Sequence, residues 1–180
     1  GLLWAARRSG RFLPERVAGV DLVGDLSTVA AREGVSAFLV GGAAGRAGRV
    51  ADRLRREARG LKAEAFTLDH RAGEDPKSLW ETLERVRPAL LFVAYGPRKQ
   101  ELWIAARNVR LASVGVRVAL GVGGAFDILA GSLPRAPRIL RDHGLEWLWR
   151  VFLEPERLPR IVRATIVFPL HVLLHRDAVP

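Results

Sequence analysis

The chain has 180 residues, 49% of them hydrophobic, which is enough for a domain with a sizeable core and too apolar for a disordered chain. Lys+Arg 29 against Asp+Glu 19 leaves a formal charge of +10, which suits an anionic partner (nucleic acid, a phosphorylated substrate or an acidic membrane surface) or, more plainly, general solubility. With no cysteine, disulfides and thiolate chemistry are excluded, and a reducing compartment fits.

No signal peptide pattern is visible at the start. The first residue is Gly1 and methionine is absent, so the native protein is expected to extend upstream. The first clear element is SAFLVG (36–41), a short apolar strand ending in glycine. In GRAGRVADRLRREARG, Ala47, Val50, Ala51 and Leu54 recur at helical spacing and Gly60 stops the run. AEAFTLD (63–69) reads as the next strand. A helix follows in EDPKSLWETLERV, with Asp75 as its cap and Pro76 at its first position. Then come a buried strand over 88–95, a helix over 98–111 and a strand from Val116. Such alternation predicts an α/β, Rossmann-like, mostly parallel sheet with helices on both faces. From about Ala136 the pattern turns helical or irregular and rich in Arg, Trp and Pro, a helical C-terminal appendage. The expected division is 1–143 for the nucleotide-binding domain and 144–180 for the appendage.

Three turns at strand ends draw the chemistry. After the first strand, Gly41, Gly42 and Gly45 let backbone approach a phosphate, or simply allow tight packing. The full dinucleotide fingerprint is not spelled out. After strand 88–95, Gly96-Pro97 is followed at once by Arg98, Lys99, Gln100 and Glu101 at a helix start. In an open α/β sheet that is where ligands bind. The third turn, LGVGGAFDILAG, carries Gly123, Gly124 and Asp127. Asp127 suits a helix cap, a sugar-hydroxyl ligand or a base. The four histidines form no metal pattern, although His171 and His175 stand four apart, and no metal is expected.

The C-terminal run joins Arg157, Arg160 and Arg163 to an apolar stretch over 164–174 that Pro169 interrupts. It is too short to span a bilayer. It suits either the membrane interface or a helix packed on the core or on a second subunit of a homo-oligomer. Arg150, Arg157 and Arg160 are spaced seven and three apart. At about 100° per residue they share one side of a helix, provided Pro155 and Pro159 leave it unbroken.

Five segments together resemble the WecG/TagA/CpsF glycosyltransferase family. They are LPERVAGVDL (13–22), FLVGGAAG (38–45), YGPRKQELW (95–103), GVGGAFDILAGSLPRAP (121–137) and GLEWLWRVFLEPERLPR (144–160). The resemblance implies a metal-independent, inverting transfer of an N-acetylmannosamine-type sugar. The donor would be a UDP-sugar and the acceptor an undecaprenyl-diphosphate-linked saccharide. The setting implied is the cytoplasmic face of a bacterial membrane, in teichoic acid or surface polysaccharide synthesis. Arg16 falls in the family's active site, offsetting charge on the leaving diphosphate. UDP is expected near Gly41, Gly42, Gly96, Gln100, Glu101 and the Gly123-Gly124 turn, with Asp127 beside it. Arg150, Arg157 and Arg160 are expected to take the acceptor diphosphate. The family's proposed base, an aspartate in an Asp-Gly motif, is expected just upstream of Gly1. Two departures stand out: Pro97 sits one place early against the family's Gly-x-Pro-Lys-Gln-Glu, and no Gly-Tyr-Phe is recognisable around 70–72.

Two other classes compete. A nicotinamide-dependent oxidoreductase needs a fuller fingerprint and an acidic ribose ligand after the second strand. A basic nucleic-acid-binding module needs stacking aromatics on an exposed sheet.

Overall fold

The computed structural model describes residues 2–8, 10–12, 17–43, 45–68, 75–155, 158–162 and 167–174, without the side chains of 2–4, 142, 160, 161, 168, 169 and 171. Contacts divide the chain into two compact units. One is Ala18–Pro134; the other joins Gly1–Val17 to Arg135–Pro180, so the first residues group with the C-terminal segment rather than with the sheet.

In the larger unit, α2 (Gly19–Arg32) opens with Asp21 in its first turn, which favours the positive helix end. It buries Val23, Ser27 and Ala30, spaced four and three apart on one face. Gly34, at φ 66, ends it in a left-handed turn, with Val35 N–H bonded to the Ala30 carbonyl at 3.0 Å. The chain then alternates β1 (Ser36–Gly41), α3 (Arg46–Glu57), β2 (Lys62–Phe66), α4 (Lys77–Val86), β3 (Leu90–Ala94), α5 (Lys99–Ser113), β4 (Val118–Gly121) and α6 (Ala125–Leu129). All pairings are parallel, in the order β2-β1-β3-β4. The two central strands are apolar and buried along nearly their whole length, as a sheet covered on both faces requires.

Two apolar clusters sandwich this sheet. Leu39 and Phe92 point to the face covered by α2, α3 and α6, with Val23, Val50, Leu54 and Phe126. Phe38, Leu91 and Val93 point to the other, under α4 and α5, with Leu79, Trp80, Leu83 and Trp103. Each fully buried side chain of this size contributes roughly 1.5–3 kcal/mol relative to exposure. The expected Rossmann-like fold with helices on both faces is therefore the observed one.

One local expectation is corrected. Pro76, not Asp75, occupies the cap position of α4, with no side-chain cap bond. Asp75 turns inward instead. Its carboxylate accepts from Trp103 Nε1 at 2.8 Å and pairs with Arg107. A nearly buried carboxylate gains more from a guanidinium and an indole N–H than from a solvated helix end.

The smaller unit holds α1 (Leu2–Arg8), α7 (Arg138–Asp142), α8 (Glu146–Leu153), α9 (Leu158–Val162) and α10 (Phe168–Leu174). α8 stops at Leu153, ahead of Pro155, and α9 begins only at Leu158. The helical arithmetic relating Arg150 to Arg157 and Arg160 therefore does not carry across. No helix among the described residues is long and apolar enough to cross a membrane.

Candidate functional site

Register brings the glycine turns together. Gly41 pairs with Ala94, and Val93 with Gly121, so β1, β3 and β4 end at one level. After β1 the chain leaves to the face of α3; after β3 it leaves to the face of α5. The crevice between these departures is the topological switch point, where open α/β sheets bind ligands.

Gly41 (φ 95) and Gly42 (φ 76) form its first wall. A Cβ on Gly41 would lie 2.8 Å from the Tyr95 ring, and one on Gly42 would lie 3.2 Å from Arg46 Cβ. Of the two readings of these glycines, packing accounts for Gly41. Gly96 (φ 85) has nothing within 4 Å of the same added atom, so its glycine serves the turn's conformation and leaves open space. Next to the early Pro97, Arg98, a non-glycine residue at φ 67, caps α5 in a strained backbone conformation.

Gln100 is the buried polar residue of this wall, at 5% exposure. Its Nε2 donates to Glu101 Oε1 at 2.9 Å. Its Oε1 has no hydrogen-bond partner among the described residues. The amide lies over β4: a Cβ on Gly121 would come within 2.6 Å of it, and one on Gly123 (φ 43) within 3.3 Å. A buried acceptor without a partner is costly unless a ligand supplies a donor. Glu101 itself is exposed. Gly124 takes an ordinary φ of −68 as the cap of α6.

Asp127 is neither helix cap nor free carboxylate. It is buried in α6, and Arg46 Nη1 donates to its Oδ1 at 2.5 Å. That pair ties the β1 turn to the β4 turn. Tyr95, the sole tyrosine, stands edge-on to Trp103 with ring centroids 5.4 Å apart. Burial first, and the Asp75 carboxylate second, push its phenol above the ordinary range, so it stays protonated. Trp103 also stacks on Trp80 at 6.4 Å, with Arg107 over its ring at 4.9 Å.

Gly41 at the end of β1 and Gly42, Gly96, Gln100, Glu101, Gly123, Gly124 and Asp127 thus all lie at the carboxyl ends of β1, β3 and β4, in the turns that follow them or in the helices those turns open. The chain over 1–178 matches the family model described as Glycosyl transferase WecG/TagA/CpsF family. The chain belongs to that family. It is therefore a glycosyltransferase by family, and the crevice is the candidate sugar-transfer site.

Arg16 and Arg157 lie outside the described residues, as do His175 and the side chains of Arg160 and His171. Arg150 is described: its Nη1 lies 3.8 Å from Glu154 one turn on. Among the described residues no group of three or more His, Cys, Asp or Glu side chains is placed to hold a metal. A cavity of about 390 Å³ lined by Thr28, Arg32, Arg56 and Arg59 opens at the C-terminal ends of α2 and α3. Those helix ends lie away from the strand carboxyl ends, and its arginines offset the helices' carbonyl ends.

Sequence reasoning missed Arg46, Tyr95 and the inward turn of Asp75. A signal for Arg46 existed: a cation in the first turn of a helix opposes the dipole and needs an anion nearby. For Asp75 there was none, because its partners are 28 and 32 residues away.

Proposed function

We propose that this glycosyltransferase moves an N-acetylmannosamine-type sugar, with inversion, from a UDP donor to an undecaprenyl-diphosphate-linked acceptor. The observation that carries the reading is the crevice of Gly42, Gly96, Gln100 and Gly123 at the switch point of a sheet whose chain belongs to this family. Inversion needs the acceptor hydroxyl to attack the anomeric carbon opposite UDP, while a general base takes its proton and the sugar–phosphate bond breaks. Arg16 offsets the charge that collects on the departing diphosphate. The donor is a substrate, and the chemistry runs without metal or cofactor.

Arg150, Arg157 and Arg160 take the acceptor's diphosphate through charge-assisted bonds. Exposed Trp147, Phe152, Leu170 and Leu174 give the C-terminal helices an apolar surface suited to the lipid interface. The protein then works peripherally on the cytoplasmic membrane face, in cell-surface polysaccharide or teichoic acid synthesis.

Against the nucleic-acid class, both sheet faces are packed under helices, whereas a base-stacking sheet platform needs an exposed face. A nicotinamide-dependent oxidoreductase calls for the fuller glycine fingerprint, which the turn after β1 does not spell out. Thermal unfolding with UDP, NAD or a short oligonucleotide separates the three. UDP at a hundred times its Kd stabilises by about 2.7 kcal/mol. A melting temperature raised by NAD or the oligonucleotide and not by UDP overturns the proposal.

A further inference from the structure

The turn after β1 carries more positive charge than its surroundings balance. α3 begins at Arg46, has no acidic residue in its first turn, and its Gly45 cap makes no side-chain bond. Two arginines, Arg46 and Arg49, therefore sit where the helix dipole is already positive. Such placement costs free energy unless an anion is held there. Asp127 answers for one of them, engaging only Nη1 of Arg46. Nε and Nη2 of Arg46 have no partner among the described residues.

Arg49 has no acidic partner among the described residues. Its Nη2 lies 3.5 Å from Ser132 Oγ, a distance at the limit of a hydrogen bond. Its Nη1 lies over the turn, 3.4 Å from where a Cβ on Gly45 would be. Across the crevice, the buried Gln100 Oε1 waits for a donor. One wall thus offers cations and the other an acceptor, a polarity suited to a ligand with an anionic end and a hydrogen-bond donor elsewhere.

We infer that Arg46 and Arg49 form a diphosphate-binding wall, Arg46 being fixed by Asp127 so that its unused edge faces the nucleotide donor's phosphates. The inference rests on the UDP-sugar reading above and adds two residues to it. Asp127 acquires a role as the positioning residue for Arg46. An arginine held by a carboxylate on one edge keeps its fork for bidentate oxyanion contact on the other.

Titration calorimetry on the full chain, with UDP, uridine and inorganic pyrophosphate as separate probes, tests this. Arg46→Gln is expected to weaken UDP and pyrophosphate about tenfold or more and Arg49→Gln several-fold, with uridine unchanged in both. The Arg46→Lys variant recovers part of the loss, because charge returns without the fork. Should Arg46→Gln fail to fold around Asp127, the Arg46→Gln/Asp127→Asn pair removes the uncompensated buried charge and carries the same comparison. Unchanged pyrophosphate and UDP binding in these variants overturns the inference, as does an equal loss for uridine, which would mean a merely structural prop. Failure of the wild type to bind UDP while its pyrophosphate binding still depends on Arg46 sinks the uridine-nucleotide reading and leaves the diphosphate wall standing. A wild type that binds neither overturns both.

Discussion

At the scale of single residues, Tyr95 is the sharpest case of environment deciding chemistry. Its ring fills the space a side chain on Gly41 would need, and its hydroxyl oxygen is shielded from solvent. Burial disfavours the phenolate, and the nearby Asp75 charge disfavours it further; Arg107 offsets only part. Tyr95 therefore keeps its proton and is no base at neutral pH. Because the chain has one tyrosine, the phenolate absorbance of the native protein reports this residue alone. No ionisation is expected around pH 10.0, the ordinary midpoint. The folded state keeps a proton that the unfolded state loses, so stability should fall as pH rises through 10.0. A native titration centred near pH 10.0 would show the ring to be solvated and the crevice wall open.

At the scale of elements, two ion pairs with similar partners have different weights. Asp75 joins the start of α4 to α5, with its side chain 9% exposed and that of Arg107 24%. Glu64 on β2 meets Arg85 on α4 at 2.6 Å, but the two side chains are 42% and 63% exposed. Asp75→Ala strips the buried Trp103 N–H and Arg107 of their acceptor, and is expected to cost about 2–4 kcal/mol in urea unfolding. Glu64→Gln should cost about 0.5 kcal/mol or less at pH 7. The hydrogen bond from Arg85 holds the Glu64 carboxyl below its ordinary 4.5. Its small contribution is thus present above that value and is lost as pH falls through the lowered folded-state midpoint, so wild type and Glu64→Gln should converge in acid. Equal costs for the two substitutions would show that Asp75 is not buried as described. The same contrast explains what the sequence could tell. β1, α3, β3 and α5 were legible within a residue or two, because apolar runs and helical spacing are local signals. α2 was hidden by Gly19, Gly24, Thr28 and several valines, whose helix propensity is poor, and packing of Val20, Val23, Leu26 and Ala30 on the core sustains it. The glycine turns of the crevice were legible for the same local reason, while Arg46–Asp127 joins residues 81 apart and needed the register of the sheet.

At the scale of the whole molecule, every member of both core clusters lies within Ala18–Pro134. So do Gly42, Arg46, Gly96, Gln100, Gly123 and Asp127. The apolar side chains proposed for the lipid interface, and Arg150, Arg157 and Arg160, all belong to the other unit. On the proposed reading, nucleotide binding and membrane attachment fall to different units of the chain. A fragment spanning Ala18–Pro134 keeps the whole sheet with its two covered faces, so it should unfold cooperatively on heating. UDP should still raise its melting temperature, while binding to vesicles rich in anionic lipid, seen for the full chain, is lost. Transfer to a lipid-linked acceptor should disappear with it, since Arg16 and the C-terminal arginines are gone. A fragment that melts without a cooperative transition would show that the smaller unit completes the core. One that still binds vesicles would move the membrane contact onto the sheet unit, where the excess arginine charge of α3 offers the obvious alternative surface.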